Sequence, residues 1–325
     1  MKAILHIVVF LVGFCVFNIS KAQQRVQFSQ YMVNQYILNP AVGGADDDLD
    51  LVVGYRKQWV NFKGAPTSYY FSGNAPLKVK HKPGLSKPVA FHSIGGILFK
   101  DQTGPISKTT AMGSYCYNLP LKHDLRLSTG VFLGVTDVGL DMTEVKFDQA
   151  GESFSQVSKK VTDGSFGLWL YNHQFYSGFS VNQLFNNKID FLNVNGANRG
   201  LVYHYYFTTG YKIPLGLGHS AEAINYLVPS VMLKYGGKGT SPSVDLNMKF
   251  HFLRNFWLGT SYRHMDSFIL LGGVRMTTNG VGVFDLAYSY DYTLSKINSY
   301  TSGSHEITLK YSMNVRPIDC PKAFW

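Results

Sequence analysis

The chain has 325 residues and a net charge of +10, with 45% hydrophobic but only 15% charged residues. A soluble domain usually carries about 25% charged residues, and disordered chains are poor in apolar ones, so neither class fits. No run after residue 22 reaches the ~18 apolar residues of a membrane helix. With 21 Tyr, 23 Phe and 32 Gly, the composition points to a β-rich protein.

The first element is an export signal. Lys2 precedes an apolar run from Ala3 to Phe17, and Ser20-Lys21-Ala22 supplies the small residues of a cleavage site. Residues 1–22 therefore read as a signal peptide that is removed before Gln23. The run is short for a retained anchor, and Phe14 before Cys15 is too bulky for a lipoprotein site. Loss of Lys2 and Lys21 lowers the net charge from +10 to +8.

Residues 23–47 form the second segment. Phe28, Tyr31, Tyr36 and Leu38 give it enough apolar weight to require packing, and the lumen of a following barrel is the expected place. Its end, Asp46-Asp47-Asp48-Leu49-Asp50, lacks the glycine and distal glutamate of a calcium loop, so a solvated turn is expected.

From residue 48 to 315 apolar and polar residues alternate. In 307–315, Ile307, Leu309, Tyr311, Met313 and Val315 alternate with Thr308, Lys310, Ser312 and Asn314. A period of two places the apolar residues on one face of a strand. Leu309 is then expected on the lipid face and Lys310, facing the lumen, to tolerate substitution. Runs of this kind cover roughly 48–59, 66–79, 89–101, 105–119, 123–138, 162–172, 173–182, 199–213, 219–235, 241–253, 255–264, 266–277, 281–292 and 303–315. They number about fourteen, and many have the ~9–11 residues that a tilted strand needs to cross a bilayer.

Turn lengths agree. With both termini in the periplasm, 121–124, 172–173, 253–255 and Asn279-Gly280 are tight inner turns, whereas the long connections 139–161, 183–198 and 293–302 lie outside. This is the arrangement of bacterial outer-membrane barrels. The expected fold is all-β: a transmembrane antiparallel β-barrel of about 14 strands over 48–315, with an N-terminal segment plugging the lumen and a periplasmic tail over 316–325. Tyr69-Tyr70-Phe71, Tyr115, Tyr117, Tyr203 and Tyr205-Tyr206-Phe207 are expected at headgroup level.

Catalytic patterns are absent. There is no Gly-x-Ser-x-Gly, no His-Glu-x-x-His and no phosphate-binding glycine loop, so no enzyme, cofactor or metal site is expected. His204, His251 and His305 read as polar filling. Cys116 and Cys320 are too few for a disulfide scaffold; either the tail folds under the barrel and bridges them, or Cys116 is a small buried filler.

Phe28-Ser29-Gln30-Tyr31 followed by Asn39-Pro40-Ala41-Val42-Gly43-Gly44 resembles the opening of the PorP/SprF family of type IX secretion outer-membrane proteins. Tyr55-Arg56-Lys57-Gln58-Trp59, then Gly64-Ala65-Pro66-Thr67-Ser68-Tyr69-Tyr70, is similar to that family's second signature. The resemblance implies a role in type IX protein secretion and delivery or anchoring of cell-surface adhesins in gliding-type machinery. Its implied partners are a secreted surface protein with a C-terminal sorting domain, other secretion or gliding components, and outer-membrane lipid; nucleic acid is not among them. The outer loops are the expected partner-binding surface, with Phe147, Phe154 and Tyr300 as its anchors. The alternative is a FadL-like outer-membrane channel for hydrophobic compounds.

Overall fold

Alternation governs the structure, a computed structural model that describes residues 27–77, 89–122, 124–141, 157–189, 200–216, 225–236, 242–252, 255–278 and 282–314. Fifteen strands form in chain order: β1 Asp48–Lys57, β2 Thr67–Pro76, β3 Phe91–Thr103, β4 Ile106–Pro120, β5 Arg126–Leu140, β6 Val157–Tyr171, β7 Phe175–Asn182, β8 His204–Tyr211, β9 Ile213–Leu215, β10 Asn225–Tyr235, β11 Ser243–Phe252, β12 Phe256–Arg263, β13 Ser267–Thr278, β14 Gly282–Thr293 and β15 Ser304–Asn314. Each pairs antiparallel with its neighbours, and β15 pairs with β1 from Asp48↔Asn314 to Lys57↔His305, which closes the sheet.

β8 and β9 are one stave. Both pair with β10 in a single register, Gly210 with Ser230 and Ile213 with Leu227, and the break at Tyr211 and Lys212 falls opposite Pro229 and Val228. Proline has no N–H to give the ladder, so the hydrogen bonding lapses there while the strand continues. The result is a closed barrel of fourteen staves, as the alternation predicts.

Boundaries moved where polarity misleads. β6 begins at Val157, five residues before its apolar alternation, because Ser158, Lys159 and Lys160 still pair with Gly139, Val138 and Asp137. Backbone pairing needs no apolar side chain, so the β5–β6 hairpin outruns its greasy band and the connection shrinks to 141–156. Conversely, β8 starts only at His204. The two-residue link Gly104-Pro105 and the short 264–266 link lie at the same end as the long loops, so that end is not uniformly long-looped.

The two faces are inverted relative to a soluble protein. Leu98, Leu133, Leu258, Leu270, Leu286, Ile307 and Leu309 point outward and are exposed, whereas Ser128, Asp245, Ser289, Glu306 and Thr308 point inward and are fully buried. An apolar exterior over a polar interior matches a bilayer as the outer solvent. Tyr69 and Tyr292 are exposed near strand ends and Tyr115 and Tyr288 are exposed further inside theirs, but Tyr70 and Tyr206 are buried. The expectation that all three of Tyr69-Tyr70-Phe71 sit at headgroup level fails for Tyr70, because adjacent residues on a strand face opposite sides.

Residues 27–47 lie outside the sheet and hold two 3-10 turns, Gln35–Ile37 and Pro40–Val42. The Asn39 side chain accepts a hydrogen bond from the Ala41 N–H at 2.9 Å and so caps the second turn. Phe28, Tyr31, Met32, Tyr36, Ile37, Leu38 and Ala41 are buried in one cluster with inward residues such as Val52, Tyr70, Phe132, Trp169 and Trp257.

Candidate functional site

The barrel interior buries charged and aromatic side chains from many of its staves. At the end where the hairpin loops lie, Arg56 on β1 is 1% exposed and bridges Asp291 on β14 at 2.8 Å and Glu306 on β15 at 3.2 Å. Ser29 completes the group. Its backbone N–H donates to Glu306 at 2.7 Å, its hydroxyl donates to Asp291 at 2.5 Å, and Arg56 Nη1 donates to that hydroxyl at 2.7 Å. Tyr70 donates to the other Glu306 oxygen at 3.0 Å, and the Gln30 amide donates to the Glu306 carbonyl at 2.6 Å. A buried carboxylate or guanidinium costs several kcal/mol unless its hydrogen bonds are met; here Ser29 and Gln30 of the N-terminal segment meet part of them, while Arg56 Nε and Asp291 Oδ1 have no hydrogen-bond partner among the described residues.

A second charged group adjoins the first. Arg263 on β12 pairs with Asp245 at 3.2 Å and Asp266 at 3.3 Å, and its Nη2 donates to the Phe28 carbonyl at 3.4 Å. Lys234 on β10 reaches Asp245 at 2.6 Å and lies 5.6 Å over the Tyr31 ring, whose hydroxyl accepts from Asn247. Phe28 meets Tyr70 and Phe99 edge-on, at 5.1 and 5.8 Å.

The segment then descends through the lumen. Asn34 donates to Ser72 at 2.9 Å, and Tyr36 shares a short hydrogen bond with Ser114 and packs 5.1 Å from Phe132. The Leu38 carbonyl accepts from Ser180 at 2.8 Å and Asn182 at 3.0 Å, while the Asn39 amide donates to the Leu168 carbonyl at 3.0 Å. The barrel wall is hollowed to admit the 3-10 turn. A Cβ on Gly130 would lie 2.6 Å from the Pro40 backbone, and one on Gly167 would lie 1.9 Å from Asn39 Oδ1. Between Gln35, Asn39, Trp169, Ser180 and Thr208 a cavity of about 10 Å³ is left, the room of about one water.

At the end where the termini of the sheet lie, Gly43's carbonyl accepts from Ser93 at 2.7 Å and Gly44's N–H donates to Asn74 at 2.8 Å. Lys310 pairs with Asp46 at 2.9 Å and Asp50 at 3.0 Å, and Arg126 approaches Asp47 at 4.0 Å. The aspartate run is therefore ion-paired, with Asp47 and Asp50 buried, and not the solvated turn expected from sequence. Lys310, expected to be replaceable, is the counter-ion of two carboxylates.

Of the signature residues, Phe28, Gln30, Tyr31, Asn39, Pro40, Gly43 and Arg56 meet inside the barrel. Tyr55 faces outward, stacked at a tilt 5.1 Å from Tyr69; Gln58 and Trp59 begin the β1–β2 loop, where the Trp59 N–H donates to Ser304 at 3.0 Å. Tyr300 closes the 3-10 turn Lys296–Tyr300 and is 71% exposed. Phe147 and Phe154 lie outside the described residues, as do the signal peptide, the tail 316–325 and Cys320. Cys116 is fully buried, with its thiol donating to the Ala41 carbonyl at 3.5 Å. His204 and His251 face the lumen, but His305 is half-buried on the outer side, 2.6 Å from the Tyr288 hydroxyl. Sequence reading passed over Asp245, Arg263, Asp291 and Glu306. Their signal was a charge at an inward position of an alternating strand.

A family profile described as type IX secretion system membrane protein PorP/SprF matches residues 20–311. The chain belongs to the PorP/SprF family. This family and the barrel fold make it an outer-membrane β-barrel of type IX secretion. No curated protein matches the chain. Among solved structures, it is similar to a TodX mutant described as a monoaromatic hydrocarbon channel, with TM-score 0.51, 10% identity, and coverage of 86% of this chain and 93% of that one. It is also similar to a FadL homologue from Pseudomonas aeruginosa, with TM-score 0.48, 10% identity, and the same 86% and 93% coverage. The first of these similarities supports the barrel architecture and nothing finer.

Proposed function

We propose that this PorP/SprF barrel acts as the outer-membrane receptor or anchor for a secreted surface protein carrying a C-terminal sorting domain, and that the N-terminal segment plugs its lumen. The observation that carries this reading is the gathering of Phe28, Gln30, Tyr31, Asn39 and Arg56 inside the barrel: the residues that mark the family hold a segment across the lumen instead of lining a passage. A blocked barrel serves as a platform, so its working surface lies on its rims. In this reading the chain is exported through the Sec pathway, residues 1–22 are removed, and the sheet termini and the tail 316–325 face the periplasm. The hairpin loops face the cell surface, with Phe147, Phe154 and Tyr300 as anchors for the partner.

The test is to solubilise the full chain from its own cells in mild detergent and identify what is retained with it. A large sorting-domain protein or secretion and gliding subunits are expected. Recovery of the barrel alone, from cells that display such proteins, would overturn the receptor reading. Saturable hydrocarbon uptake dependent on this chain would establish a channel for hydrophobic compounds instead.

A further inference from the structure

The outward face of the barrel changes character at the loop-bearing ends of β15, β1 and β3. Lys57, the last residue of β1, is exposed and stands directly opposite His305 of β15 and Thr67 of β2. Gln102 of β3 continues this row from Thr67. The next outward layer holds Tyr288, Tyr55 and Tyr69, with exposed Lys100 opposite Tyr69. The His305 imidazole is fixed by the Tyr288 hydroxyl at 2.6 Å and packs 5.2 Å from the Tyr290 ring.

These cations have no acids beside them. Among the described residues, neither Lys57 nor Lys100 forms an ion pair. The connections 58–66 and 294–303 contain no aspartate or glutamate, and they add the exposed Lys63 and Lys296. Going round from β15, the first outward carboxylate at this end is Asp137 on β5, itself opposite Lys160. The other flank differs. At the same end, β8, β10, β11, β12 and β13 turn Tyr205, Tyr235, Val244, Tyr262 and Phe268 outward, with His264 beside Tyr262 but no lysine or arginine. A rim lysine can lay its stem on the apolar wall and carry its ammonium to headgroup level. That accounts for a single lysine, not for a one-sided gathering, because like charges repel unless an anion lies among them.

We propose that this flank binds the phosphorylated headgroup of an outer-leaflet lipid. Lys57 and Lys100 supply charge to the phosphates, Thr67, His305 and the tyrosine hydroxyls supply hydrogen bonds, and the exposed Phe71, Leu98 and Ile307 below them meet the acyl chains. Lys57 and Lys100 stand two strands apart, ~10 Å across the sheet, a spread that suits a glycolipid headgroup with more than one phosphate. The leaflet rests on the orientation proposed above, with the hairpin loops at the cell surface; the site itself does not.

The test is native mass spectrometry of the full chain in detergent micelles, titrated with bisphosphoryl lipid A and with the same lipid stripped of its phosphates. Saturable binding of the first is expected, with at least tenfold weaker binding of the second. Lys57→Gln combined with Lys100→Gln should weaken binding at least tenfold, and heat-modifiable gel mobility shows that the variant is folded. Lys122→Gln, an exposed cation at the opposite end, should leave binding unchanged. Equal binding of the two lipids, equal binding by the double variant, or displacement of the lipid by inorganic phosphate would overturn the proposal. Antibody access on whole cells to an epitope in 294–303 reads the leaflet separately. An epitope closed to antibody, with micelle binding intact, would overturn the orientation and the assignment to the outer leaflet, and leave the site standing.

Discussion

Arg56 shows how one side chain can join three parts of a chain. It sits between Asp291 and Glu306, and Ser29 completes its shell. Arg56→Gln should leave two buried carboxylates without a cation and cost about 3–5 kcal/mol, read from urea unfolding of the refolded barrel in micelles. A loss under 1 kcal/mol would mean that water replaces the guanidinium. The pair Leu309 and Lys310 gives a sharper comparison. Leu309→Arg, on the lipid face, should cost roughly 2–4 kcal/mol near mid-bilayer. Lys310→Gln should now cost a similar amount, because it strands Asp46 and Asp50. Adding Asp50→Asn to Lys310→Gln should recover part of the loss. Harmless Lys310→Gln would show that these aspartates are hydrated.

At the scale of elements, the N-terminal segment has a direction. Phe28 and Ser29 lie with Arg263 and Arg56 near the loop-bearing strand ends, and Asp46 lies with Lys310 toward the opposite end. On the proposed plug, residues 28–47 therefore run from the loop side down to β1. An epitope placed after the signal peptide should be reached by antibody from the same side of the membrane as one inserted in 294–303. Labelling of the two from opposite sides would contradict this path. The loop side is itself ordered: the Val60 N–H donates to the Gly303 carbonyl at 2.8 Å, Asn61 donates to Ser302 at 2.8 Å, and the Leu294 N–H donates to the Asp266 carbonyl at 2.8 Å. Tyr300 thus stands on a framework of three joined hairpin ends.

For the whole molecule, closure and filling are separate properties. Closure comes from the β1–β15 ladder, whose ten pairs leave no sheet edge. Filling is the role proposed for residues 27–47. The intact protein should show little steady conductance in planar bilayers, and deletion of 27–45 should raise it severalfold while the heat-modifiable gel mobility of a folded barrel is retained. Large conductance from the intact chain would refute the plug, and an unfolded deletion variant would mean that the segment is needed for the barrel to close.

The sequence by itself determined the barrel. A period of two is a local property of the backbone, so inward and outward faces, the number of staves and most strand limits can be read directly from Leu309-Lys310-Tyr311 and its equivalents. It also revealed that residues 24–47 must be packed, since Phe28, Tyr31 and Tyr36 cannot stay in water. It failed at β6, where polar residues remain in the ladder, and at the aspartate run and Lys310, which look solvated until their partners are known. Only the tertiary structure decided which charges meet. Arg56, Asp291 and Glu306 are up to 250 residues apart, and their encounter depends on closure of the sheet and on the path of the N-terminal segment. Alternation fixes the face on which a side chain stands, but not its height across the barrel from another strand. That height is set by the register of all fourteen staves together.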